Sequence, residues 1–71
     1  MKTYWINDID TCNRCINWLK ENKYKTFCMQ YAWYEKKGFI MWLNNNKTED
    51  IEIHTKTEVI QQMLLDYACE K

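Results

Sequence analysis

The sequence predicts an α+β domain in two layers, helix–three-stranded antiparallel sheet–helix, with both helices on one sheet face. Two stretches with apolar residues at helical spacing lie near the ends of the chain. Between them runs a stretch of alternating, aromatic-rich residues broken by the only glycine, Gly38. No proline interrupts any of it.

Residues 2–6 read as a short N-terminal strand or an extended lead-in. A helix is expected from Asp8 to Asn22. Asn7 is placed to cap it, and Asp8 and Asp10 suit the positive end of its dipole. Ile9, Cys12, Cys15, Ile16 and Leu19 form its apolar stripe, with Trp18 at the edge. Asp10, Arg14, Asn17 and Glu21 take the other side.

Residues 25–34 read as a strand. Phe27, Met29, Tyr31 and Trp33 share one face; Cys28, Gln30, Ala32 and Tyr34 share the other. Lys36-Lys37-Gly38 suits a three-residue hairpin loop with glycine in the left-handed conformation at its third position. That turn pairs Glu35 with Phe39 and Trp33 with Met41. Phe39, Met41 and Leu43 then join the odd-numbered face, and Ile40 and Trp42 the even one. A third strand is expected over Asp50–His54. Thr55-Lys56-Thr57-Glu58 fits a capping box, with Thr55 as cap and Glu58 reaching back. The last helix carries Val59, Ile60, Met63, Leu64 and Tyr67 as its stripe, while Leu65 and Cys69 project elsewhere. The odd face is the more uniformly apolar, so the helices should cover it and leave the even face open.

One domain over residues 1–71 is the natural reading of this length. Four Trp, five Tyr and two Phe give it large side chains to bury. Ten basic and ten acidic residues balance, which argues against a dedicated nucleic-acid binder. The charges are uneven: residues 1–48 carry eight basic and four acidic groups, residues 49–71 two and six. No apolar run is long enough to span a membrane, and the opening residues do not form a signal peptide. The expectation is a cytoplasmic protein with reduced cysteines.

Cys12-x-x-Cys15 raises two chemistries. A redox pair wants a thiol at a helix N-terminus, whereas Cys12 lies in the second turn, on the apolar stripe. A zinc site could draw on Cys12, Cys15, Cys28 and His54 or Cys69. The expected faces put Cys12 and Cys15 on one side of the sheet and Cys28 and His54 on the other, so no metal is expected. His54, the only histidine, has no nucleophile motif beside it, and one glycine cannot build a phosphate loop. The expectation is no enzyme and no cofactor.

The even face carries Cys28, Gln30, Ala32, Tyr34, Ile40, Trp42, Glu52 and His54, a mixed surface with aromatic anchors of the kind found at protein interfaces. Glu49 and Asp50 extend it with an acidic run that could imitate phosphates. The expected function is a small protein-binding module, in its narrowest form a phage- or mobile-element-encoded inhibitor of the anti-CRISPR or anti-defence type acting on a nucleic-acid-handling complex. The alternatives are a homodimeric structural or regulatory protein and a nucleic-acid module. Lys20, Lys23, Lys25, Lys36 and Lys37 are the basic set for the last. The element order resembles the double-stranded-RNA-binding domain, a family that grips phosphates with lysines at the start of its last helix. Here that helix begins Lys56-Thr57-Glu58-Val59, so the resemblance is one of element order alone.

Overall fold

The computed structural model describes residues 1–33 and 38–69. Its elements are β1 (Lys2–Trp5), α1 (Ile9–Glu21), β2 (Lys25–Ala32), β3 (Gly38–Asn44), β4 (Ile51–Thr55) and α2 (Glu58–Cys69). The class is the α+β expected. The lead-in is a true strand, so the sheet has four strands in the order β1-β4-β3-β2. β2, β3 and β4 are antiparallel neighbours, and β1 lies parallel to β4. No helix among the described residues is long and apolar enough to cross a membrane.

α1 starts one residue later than its expected cap. Asp8 is extended (φ −133°, ψ 152°), and its carboxylate accepts the Thr11 amide at 2.9 Å. That amide, with the Thr11 side chain, holds the Asp8 carboxyl below its ordinary value. Asn7 serves the far junction instead. Its side-chain oxygen accepts the Lys56 amide at 3.0 Å and the Thr55 and Thr57 hydroxyls at 3.4 Å. It thereby ties the end of β1 to the β4–α2 corner.

The helix ends in a Schellman motif. The Tyr24 amide bonds the Leu19 carbonyl at 3.0 Å, and the Lys23 amide bonds the Lys20 carbonyl at 3.2 Å. Lys23 sits at φ 58°, where glycine is usual. Tyr24 and Leu19 are both buried in the core, the apolar contact that this exit favours.

The capping box at α2 does not form. Thr55 is the last residue of β4, fully buried, and its hydroxyl accepts the Thr57 amide at 3.1 Å. The first helical bond runs from the Gln61 amide to the Thr57 carbonyl at 3.0 Å, so Thr57 stands in the cap position.

The hairpin register differs from the expected one by four residues. Phe39 pairs with Tyr31 rather than Glu35, and Met41 with Met29 rather than Trp33. A shift of four is even, so each side chain keeps its face. β2 ends at Ala32, and the connection to Gly38 is longer than three residues; its positions 34–37, with the expected Lys36-Lys37 turn, lie outside the described residues. Trp33 leaves the strand, and its indole N–H donates to the Gln61 side chain on α2. This contact with the helix layer competes with further strand pairing. Gly38 is left-handed as expected (φ 79°). A bulge between Thr26 and Cys28 leaves Phe27 unpaired. Before it the faces alternate out of step, and the Thr26 hydroxyl donates to Met41 Sδ at 3.3 Å.

One core lies between the sheet and both helices. Phe39, Met41, Leu43, Ile51 and Ile53 meet Cys12 and Leu19 from α1 and Ile60 and Leu64 from α2. Cys15, Ile16, Met63 and Tyr67 pack at its margin. Ile9 and Val59, expected in the stripes, are exposed. Each stands in the first turn of its helix. Leu65, expected to project elsewhere, is packed against the core.

Candidate protein-binding surface

The pairings assemble the open face as two rows across the sheet. Thr3, Glu52, Trp42 and Cys28 form one; Trp5, His54, Ile40 and Gln30 form the other. Alternation along each strand brings these residues to the side away from the helices. Of the residues expected there, Cys28, Gln30, Ile40, Trp42, Glu52 and His54 are brought together.

The centre of the face is a hydrogen-bonded array. One Glu52 oxygen accepts the Trp42 indole N–H at 3.2 Å. The other accepts from His54 Nε2. The Trp5 ring lies over the His54 ring, centroids 4.3 Å apart and tilted by 31°. A carboxylate held between an indole and an imidazole is fixed in position, and so are the rings around it. Glu52 and His54 are half-buried. His54 is thus held by the Glu52 carboxylate on one side and the Trp5 ring on the other.

Several expected anchors stand differently. Ile40 is only 9% exposed, and Trp42 is half-buried. Trp5, on β1, is 58% exposed and becomes the main apolar feature. Ala32 is buried. Tyr34 lies outside the described residues. The acidic run does not form one surface. Glu52 faces Trp42 and His54, Glu49 lies 3.2 Å from the Met1 amino group, and half-buried Asp50 accepts the Lys2 amide through its carbonyl. Lys20, Lys23 and Lys25 gather at the α1–β2 junction and are exposed, while Lys36 and Lys37 lie outside the described residues.

The cysteines separate by environment. Cys12 is fully buried and Cys15 partly so, whereas Cys28 and Cys69 are exposed. Burial raises the Cys12 thiol; burial and then the neighbouring Cys12 push Cys15 up to about 11. Such thiols are poor nucleophiles at neutral pH. Among the described residues, no three His, Cys, Asp or Glu are grouped to hold a metal.

A second surface lies on the other side of the sheet, at β2. Phe27, Met29 and Tyr31 on edge strand β2 are 53%, 39% and 50% exposed. Their alternation reads as a core-facing strand. The helices instead cover β3 and β4, whose core-side residues are buried, and leave this side of β2 exposed. The periodicity of one strand does not say where in the sheet that strand will lie.

Comparison with protein-family models, with curated proteins and with solved structures gives no match.

Proposed function

We propose that the chain acts without catalysis, by binding another protein through the open sheet face. The observation that carries this reading is the Trp5–His54–Glu52–Trp42 array, which presents an exposed indole on a scaffold already ordered by hydrogen bonds and stacking. Rigid aromatic anchors lose little side-chain entropy on docking, and Trp is enriched among residues that dominate binding energy. Trp5 is the anchor, and Glu52 and His54 form its support. An inhibitor that occludes its target with this face is the narrow form of the reading, and it rests on size and composition. Glu52 is held by Trp42 and His54 and Glu49 by the Met1 amino group, so this reading rests on the aromatic residues of the face rather than on the acidic run.

A photo-crosslinking residue at Thr3, on the open face, is compared with one at Asn13, exposed on α1. The expected result in lysate of the source cell is one nuclease-insensitive protein adduct from position 3, absent from position 13. It should be lost in Trp5→Ala at unchanged far-UV circular dichroism. Equal adducts from both positions, or none from position 3, refute the reading.

A further inference from the structure

Among the described residues, strand β2 is a sheet edge: it pairs with β3 on one side and with no strand on the other. Such an edge presents unpaired backbone groups, and proteins blunt it with charge, proline or bulges. Here those protections stop short. Lys25 and the bulge at Phe27 lie before Cys28, and the strand ends at Ala32. Cys28–Ala32 is left regular, uncharged and without proline.

That window is chemically symmetric about Gln30. Small residues, Cys28 and Ala32, stand two positions away on either side; apolar ones, Met29 and Tyr31, stand one away. Met29 and Tyr31 share a face, the Tyr31 hydroxyl lying 4.0 Å from Met29 Sδ. We propose that β2 pairs antiparallel with the β2 of a second copy, about a two-fold axis through Gln30. Met29 then meets the second copy's Tyr31, Cys28 meets its Ala32, and the two Gln30 amides face each other. Both helix layers stay on one side of the continuous sheet. A two-fold contact requires a self-complementary strand, and this one is.

Zero net charge and an uncharged window mean that the two copies do not repel. The exposed parts of Phe27, Met29 and Tyr31 amount to on the order of 300 Å² per copy. A standard specific interface buries about 800 Å² per partner. The contact is therefore a weak dimer, not an obligate one. It uses a different surface from the Trp5 array and does not depend on it.

Sedimentation velocity over a wide concentration series reads the association directly. The expected result is a monomer at low micromolar concentration and a dimer approaching millimolar. Met29→Lys should abolish the dimer while far-UV circular dichroism is kept, and Thr3→Lys, outside the contact, should leave it intact. Register is tested by mild oxidation in a Cys69→Ser background. Gln30→Cys should give a covalent dimer through position 30, and the protein with Gln30 retained should give none through Cys28. A mass fixed at the monomer value, dimerisation unaffected by Met29→Lys, or cross-linking through Cys28 overturns the pairing.

Discussion

Replacing Gly38 with alanine puts a methyl group where the fold has no room. A Cβ at this position would lie 2.2 Å from the backbone oxygen of Thr55 and 3.3 Å from Lys56 Cα. Neither neighbour is a flexible side chain. β3 and β4 are hydrogen-bonded at this point, with Phe39 opposite Thr55, and Thr55 is fully buried. The strands must part or tilt to relieve the contact. The left-handed φ of 79° adds a second penalty. It is about 1–2 kcal/mol for an L-residue with a side chain. Forced overpacking adds about 1–3 kcal/mol, so the total is about 2–5 kcal/mol. The net core stability of a chain this small is ~3–5 kcal/mol. Gly38→Ala should therefore lower Tm by roughly 10–30 °C and leave a sizeable unfolded fraction at room temperature. Gly38→Asn separates the two causes. Asparagine tolerates left-handed backbone but keeps the Cβ, so it should recover about 1 kcal/mol of the loss and no more. Urea unfolding followed by tryptophan fluorescence measures all three proteins. A Gly38→Ala variant within about 0.5 kcal/mol of wild type would refute the close packing of β3 against the Thr55 carbonyl.

Lys23→Gly should stabilise the protein by about 0.5–1 kcal/mol in urea unfolding, because the Schellman position holds lysine at φ 58°. Asn7→Ala should destabilise by about 1 kcal/mol, through loss of its bonds to Lys56 and the two threonines. It should also speed amide exchange in β1. Cys15 makes stability fall at alkaline pH. Its folded value of about 11 lies above the ordinary 9.0, so its contribution is complete below pH 9 and is lost as pH rises toward 11. Cys15→Ala should remove that part of the slope. At neutral pH, a thiol reagent should titrate Cys28 and Cys69 quickly and reach Cys12 and Cys15 only on unfolding.

Local chemistry marked out the elements. Apolar spacing set both helices to within a residue or two, Gly38 marked a left-handed position near the hairpin, and the apolar alternation of Phe39, Met41, Leu43, Ile51 and Ile53 identified the face that the helices cover. These features depend on neighbours within a turn or a pleat, so composition along the chain records them. The rest was decided by residues far apart in sequence. Trp33 bonds Gln61 on α2, and the hairpin therefore pairs four residues short of the register that a tight turn at Lys36-Lys37-Gly38 implies. Residues 2–5 reveal themselves as a strand only through parallel pairing with β4, some fifty residues away. That pairing brings Trp5 over His54 and makes it the prominent residue of the open face. The exposure of Phe27, Met29 and Tyr31 likewise follows from strand order, which leaves β2 at the edge. A strand's period states which residues share a face; only the sheet around it decides whether that face is covered.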